Sequence, residues 1–393
     1  MTVLAVNAGS STLKFALYPV EHDPQAPTPL TGSFDGLAGA GHLVLRWTAL
    51  GQSHSQQLAC ADQAPFEVAL RQLRALLQTA CDGRDLRAVA HRVVHGGSVY
   101  RQAVRVDDLV LAELERLCPL APLHQPNNLH GIRAFAQAFP EVPQVACFDT
   151  AFHASLPEVE YRFAIPEALA EQGVRRYGFH GLSYQYLVQT LAGLSDRAQG
   201  RVVMAHLGSG ASVCASLAGR SVATSMGFSA LDGLMMGTRC GALDAGVLLH
   251  LLAQGWDAAR LQAMLYRESG LLGVSGLSSD MRTLRASSDA RAGLAIAMFT
   301  HRVVRETGAM TACLGGMDAL VFTGGIGEHD ALLRADVCDQ LAYLGIALDA
   351  QRNADADGTV ACSLHAPHSG VEVWVVPTDE GRIAAQAAVA LLQ

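Results

Sequence analysis

Val3-Leu4-Ala5-Val6-Asn7-Ala8-Gly9-Ser10-Ser11-Thr12-Leu13-Lys14-Phe15 opens the chain. About 200 residues later, Val202-Val203-Met204-Ala205-His206-Leu207-Gly208-Ser209-Gly210-Ala211-Ser212-Val213 repeats its plan. In each, a short apolar run reads as a buried strand, a Gly/Ser turn follows, and a second strand leaves the turn. Glycine lets the backbone approach an anion and the exposed N–H groups form a nest for phosphate oxygens, to which Ser and Asn add neutral donors. Two readings stand open here: a diverged duplication of one α/β unit, or two ordinary Gly/Ser hairpins. There is no GxxxxGK[ST] stretch, and no GxGxxG follows the first strand, so neither a Walker-type loop nor a dinucleotide fold is indicated. A third glycine loop, Gly324-Gly325-Ile326-Gly327-Glu328, follows the apolar run from Ala319 to Phe322. Three such loops point to phosphate or nucleotide binding.

Outward from these loops, apolar patterning predicts strands at Lys14 to Tyr18, Ala88 to Val94, Val145 to Phe148 and Val371 to Val376. Helical spacing covers Glu67 to Leu77, Asp108 to Leu117, His130 to Phe139, Ala245 to Gln254, Ala258 to Arg267 and Ala290 to Leu314, and Glu21 to Pro29 reads as a Pro-punctuated surface loop. Alternating strands and helices define an α/β chain. Its 393 residues suggest roughly two to three domains. Half the residues are apolar and 16% are charged, which excludes a disordered protein. The formal charge of −8 argues against nucleic acid as a partner, and no polybasic block or run of roughly 20 apolar residues suggests a membrane. Nine widely spaced cysteines without a CxxC pair read as reduced core residues of a cytoplasmic protein.

Chemistry-bearing side chains gather near predicted strand ends. Arg92 lies in His91-Arg92-Val93-Val94-His95-Gly96-Gly97, and Arg239 follows Gly237-Thr238; arginine suits bidentate holding of carboxylate or phosphate. Asp149 and Glu380 follow buried strands, where α/β folds hold hard cations such as Mg²⁺, although helix capping or a solvated loop is the competing reading for each. His124, His153 and His180 fall in segments with few charges, and no Cys/His spacing fits zinc. Of these, His180, between Phe179 and Gly181, could donate to charge on a transferring phosphoryl group.

Seven stretches in order closely resemble the acetate kinase family, which also includes propionate and butyrate kinases. They are Asn7 to Phe15, His91 to Gly97, Phe148 to His153, Tyr177 to Gly181, His206 to Ser212, Met236 to Arg239 and Phe322 to Glu328. The resemblance implies two duplicated actin-like, ribonuclease H-like α/β domains of the acetate and sugar kinase/heat-shock ATPase/actin superfamily. It places these domains at 1–150 and 151–382, with a C-terminal helix 383–393 returning to the first, usually in a homodimer. The implied reaction is reversible phosphoryl transfer from ATP, with Mg²⁺ or Mn²⁺, to acetate, giving acetyl phosphate and ADP. Alternatives are a propionate kinase of the same family, or an ATP-hydrolysing conformational switch.

Site roles are likewise implied by the resemblance. Arg92, Asp149, His180 and Arg239 are the catalytic set, with His124 nearby. Val94, Leu123, Phe179 and Ala230 join Arg92 in holding the acid. Lys14, His206, Gly208, Ser209, Gly210 and Ser212 lie on the phosphate side of the nucleotide. Asp280, Met281, Arg282, Gly324, Gly325, Ile326, Gly327 and Glu328 form its adenosine side. Asn7 and Glu380 attend the metal. Three positions depart from the family pattern: Ser209 stands where Asn is usual, and Ala230 and Ala245 stand where Pro is usual. Ala230 leaves a larger acid pocket, from which propionate turnover is expected.

Overall fold

A computed structural model describes residues 1–20, 28–39, 42–49, 51–60, 63–80 and 85–393. Most of the loop expected at Glu21 to Pro29, and Cys81, lie outside the described residues. The chain divides into two compact units, Met1–Ala151 with Asp379–Gln393, and Phe152–Thr378.

Among the described residues the first unit is built on eight strands. They are β1 (Thr2–Ala8), β2 (Thr12–Pro19), β3 (Leu30–Asp35), β4 (His42–Ala49), β5 (Gln52–Ala59), β6 (Leu86–Val93), β7 (Val104–Arg105) and β8 (Gln144–Phe148), in the order β5-β4-β3-β2-β1-β6-β8-β7. β1 to β5 form an antiparallel meander, β1, β6 and β8 are parallel, and β7 runs antiparallel to β8. β8 is buried at every residue, as a strand covered on both faces must be, whereas the edge strand β5 is largely exposed and polar. The core packs Leu4, Val6, Phe15, Leu17, Phe34 and Leu45 against Leu73 of the helix Pro65–Ala80 and Phe135 of the helix Gln125–Ala138. The C-terminal helix Glu380–Leu392 lies on β1 and β6 through Ile383, Ala384, Ala385 and Ala388. Its small side chains bring the backbone close enough for Cys147 Sγ to reach Ala384 O at 3.7 Å.

The second unit has β9 (Arg201–Leu207), β10 (Ala211–Leu217), β11 (Arg220–Thr224), β12 (Ala319–Thr323), β13 (Cys362–Ser363) and β14 (Glu372–Val375), ordered β11-β10-β9-β12-β14-β13. β9 to β11 are antiparallel, β9, β12 and β14 are parallel, and β13 is antiparallel to β14. Strand for strand this is the order and direction of β3-β2-β1-β6-β8-β7. The duplication left open by the two hairpins is therefore present as shared topology, with β4 and β5 added to the first unit. In both, functional candidates emerge where parallel strands end, the usual binding edge of such sheets.

The eight described cysteines are all free, but only Cys60, Cys147, Cys214 and Cys338 are buried and Cys313 is exposed, so the core reading holds for half of them.

Candidate active site

In the first unit, register brings three strand ends side by side. Val6 of β1 pairs with His91 of β6, and Arg92 pairs with Cys147 of β8, so Asn7, Arg92 and Asp149 follow one another across the edge. Arg92 grips Asp149 bidentately, with Nε donating to Oδ1 at 3.0 Å and Nη2 to Oδ2 at 2.6 Å. Arg92 Nε also lies 3.3 Å from Glu380 Oε2, at the start of the C-terminal helix. Burial alone would pull the Arg92 pKa down; the charges of Asp149 and Glu380 reverse that and raise it. Asp149 is 1% exposed. The three formal charges sum to −1, a setting that favours one added cation. Lys14 pairs with Asn7 across the first hairpin and is exposed.

Two amides hold this edge in shape. Asn128, 4% exposed, accepts from Val94 N at 3.0 Å and donates to Ala8 O at 2.9 Å. Gln125, one turn earlier, accepts from His95 N at 3.2 Å and donates to His95 O at 3.0 Å. Sequence reading singled out His124 and Leu123 but not these neighbours; the available signal was two amides flanking Pro126 at a helix start, which demand partners once buried. His124 precedes that helix, Leu123 is half-buried and Val94 is buried.

In the second unit the loops at Gly208–Gly210 and Gly324–Gly327 and the segment around Gly237 converge. Gly324 has φ +76, and a β-carbon there would stand 2.7 Å from Leu207 O, so only glycine lets the β12 loop lie on β9. Gly237 N donates to Ser209 O at 3.3 Å, and a β-carbon on Gly237 would meet Ser279 O at 3.3 Å. The segment before Asp280 thus joins the same cluster. His180 Nε2 and Arg239 Nη1 lie 3.3 and 3.8 Å from the β-carbon position of Gly210. Arg239 is aimed by the carbonyl of Ala230, which accepts from Nη1 at 2.8 Å. His180 and His206 stack with ring centres 4.2 Å apart. Phe179 is 2% exposed, and its carbonyl faces His153 Nε2 at 2.9 Å.

Several expected residues also make contacts of their own within these loops. Glu328 turns its carboxylate inward, accepting from Gly324 N at 2.8 Å, Thr323 Oγ1 at 3.1 Å and Thr378 N at 3.2 Å. Asp280 caps its own helix and pairs with the exposed Arg282 at 2.6 Å; that hydrogen bond comes first among the causes holding its carboxyl down at about 2. Met281 is buried, and Gly325, Ile326 and Gly327 sit in the helix Gly324–His329. Ser212, expected beneath the phosphates, is 0% exposed and its hydroxyl faces His180.

Arg334 was not anticipated. It is 0% exposed and donates to Gly327 O at 3.0 Å, Glu328 O at 2.7 Å, Asn353 Oδ1 at 2.8 Å and Asn353 O at 2.9 Å. Burial lowers its pKa, yet these acceptors tie off the C-terminal end of the helix carrying the glycine loop. No sequence period marks an arginine that bonds carbonyls rather than a carboxylate.

Among the described residues no group of three or more His, Cys, Asp or Glu could cage a metal ion. Asp149 and Glu380 offer an all-oxygen pair, which suits Mg²⁺, an ion that keeps waters and binds through one or two carboxylates plus substrate phosphates. The donor set fits that ion and not a closed zinc site.

The acetokinase family pattern matches residues 2–386. A relative named acetate kinase from Rhodopseudomonas palustris (strain ATCC BAA-98 / CGA009) is 50% identical over 382 residues, covering 96% of this chain and 95% of that protein. Among solved structures, a propionate kinase from Francisella tularensis superposes with a TM-score of 0.89 at 35% identity over 98% of both chains. The acetate kinase of Porphyromonas gingivalis gives 0.87 at 36% identity over 100% of both. This likeness and the duplicated strand order establish a two-domain actin-like fold.

Proposed function

The chain belongs to the acetokinase family, and from that membership we propose that it is an acetate kinase, transferring the γ-phosphoryl group of ATP reversibly to acetate. The observation that carries the reading is agreement at 50% identity, over 96% of this chain, with a relative bearing that name. Propionate kinases share the family, and the Francisella structure does not favour that acid over acetate.

Charge dictates the mechanism. A carboxylate is already ionised at neutral pH, so no base has to activate it. A carboxylate oxygen forms a bond to the γ-phosphorus while the bond to the bridging β,γ-oxygen breaks, releasing ADP with that electron pair. Two anions have to be brought together, and the proposed agents are Arg92 and Arg239, which neutralise and orient, and His180, which donates to the transferring group. Val94, Leu123, Phe179 and Ala230 are assigned to the methyl group of the acid. The loops Gly208–Gly210 and Gly324–Gly327, with Lys14, His206 and Asp280 to Arg282, are assigned to the nucleotide. Glu328 contributes by holding its loop. Asp149 and Glu380, with Asn7 beside Arg92, would hold Mg²⁺, which neutralises phosphate charge when bound.

The proposed assembly is a homodimer. The helix Ala245–Ala253 is apolar around most of its circumference and has no buried residue, with Leu249 68% and Leu252 46% exposed; a second copy would cover such a surface. The proposed compartment is the cytoplasm, where ATP is available and free thiols such as the eight described here persist.

The test is formation of acyl phosphate, trapped as the hydroxamate, from ATP, Mg²⁺ and acetate, propionate or butyrate. Product is expected with acetate leading, and with propionate within about 10³-fold in kcat/KM, because one methylene in an apolar pocket is worth only about 10- to 200-fold. ATP hydrolysis without acyl phosphate would replace the kinase reading with that of a conformational switch.

A further inference from the structure

His180 stands just before the helix Gly181–Ala192 in the left-handed region, with φ 59, uncommon for a residue other than glycine. Such conformations persist only where the surroundings fix them. Here they fix the ring as well. His180 Nδ1 lies 2.8 Å from Ser212 Oγ, and Ser212 Oγ lies 2.5 Å from Tyr184 OH. Ser212 and Tyr184 are both 0% exposed. The ring plane is set by stacking on His206 at an interplanar angle of 17°, and His206 Nδ1 has its own hydroxyl partner, Ser183 Oγ, at 2.9 Å. Nε2 of His180 faces the space it shares with Gly210 and Arg239.

A neutral imidazole carries one proton, and the partner of one nitrogen decides which nitrogen holds it. The sense of the hydroxyl chain follows from its far end. Tyr184 OH is buried with Ser212 Oγ as its side-chain partner, and a phenol, far more acidic than an alcohol, is the better donor of the two. The phenol proton is then left to donate to Ser212 Oγ, and the Ser212 proton to Nδ1.

We propose that Ser212, oriented by Tyr184, is a positioning residue that keeps the His180 proton on Nε2. His180 then presents a donor, not a lone pair, to the space beside Arg239. Phosphoryl oxygens only accept, so the opposite tautomer would set a lone pair against negative charge. The inference rests on the proposed role of His180 toward the transferring group.

The experiment combines tautomer and kinetics. With the histidine rings labelled with ¹⁵N, NMR of the intact protein is expected to show His180 protonated at Nε2. In Ser212→Ala the signal moves toward the Nδ1–H form, and kcat falls about 10- to 100-fold, as when an orienting partner of a functional histidine is removed, while KM for ATP and acetate changes far less. Tyr184→Phe keeps the core filled and gives a smaller fall with the same direction of tautomer change. An unchanged His180 tautomer in Ser212→Ala, or a raised KM with kcat intact, would overturn the proposal. If His180→Ala left kcat unchanged, the catalytic role of His180 would fail instead, and the NMR comparison would still decide what the hydroxyl chain does.

Discussion

Asn128→Ala tests whether the edge that carries Arg92 is held by one buried amide. The side chain is 4% exposed and bridges Val94 N and Ala8 O at 3.0 and 2.9 Å. Removing it strands one backbone donor and one acceptor away from solvent. At about 1–3 kcal/mol for each unsatisfied buried group, the loss is about 2–6 kcal/mol. Asn128→Leu fills the space but restores neither bond, so its stability should stay below that of the parent protein. Urea unfolding followed by far-UV circular dichroism gives the global change. Hydrogen exchange of the peptide spanning residues 93–97 reports the Val94 amide directly. Because Arg92 lies two residues before Val94, kcat/KM should fall as well. A change in stability under about 0.5 kcal/mol, the scale of an ordinary surface substitution, with the Val94 amide still protected, would refute the argument.

Two further outcomes follow from buried polar groups. Burial pushes His91, His95 and His153 down from 6.5 to about 4. They stay neutral in the folded state where the unfolded chain takes up protons, so stability is whole above pH 6.5 and is lost as pH falls toward 4. Each contributes about 3 kcal/mol to that loss; urea midpoints that stay level between pH 7 and 4.5 would contradict the sign. Arg334→Met strips the Gly327 and Glu328 carbonyls of their donor, leaving buried acceptors that together cost about 3 kcal/mol or more. KM for ATP should rise more than kcat falls, and an unchanged KM with an unchanged melting temperature would sever Arg334 from the nucleotide loop.

Legibility in the sequence followed the range of the interaction. β1, β9 and β12 declare themselves because a buried strand is an apolar run between turn residues, and β2 is read from the tight Gly/Ser turn before it. The helix Ala290–Leu314 matches its apolar period end to end. β3, β4 and β5 were not read, and β5 could not be: Gln52 to Gln57 is exposed on an edge, so no hydrophobic pattern marks it. The helix Gln125–Ala138 begins five residues before the expected His130, since Pro126 suits a first turn and the amides beside it look like loop.

By itself the sequence determined an α/β chain with glycine loops after strands and a set of motifs whose order gave the family. These are local properties, written in apolar periods, turn residues and short strings. The hairpins themselves left duplication open and only the family resemblance implied it; tertiary structure decided it through matching strand order, a relation between distant segments. It also decided that Arg92 holds Asp149, 57 residues away, and that Ser212 reaches back 32 residues to His180. The burial that makes Asn128, Ser212 and Arg334 matter arises only when those segments pack. A polar side chain gains its partner from the fold, and no spacing along the chain names that partner beforehand.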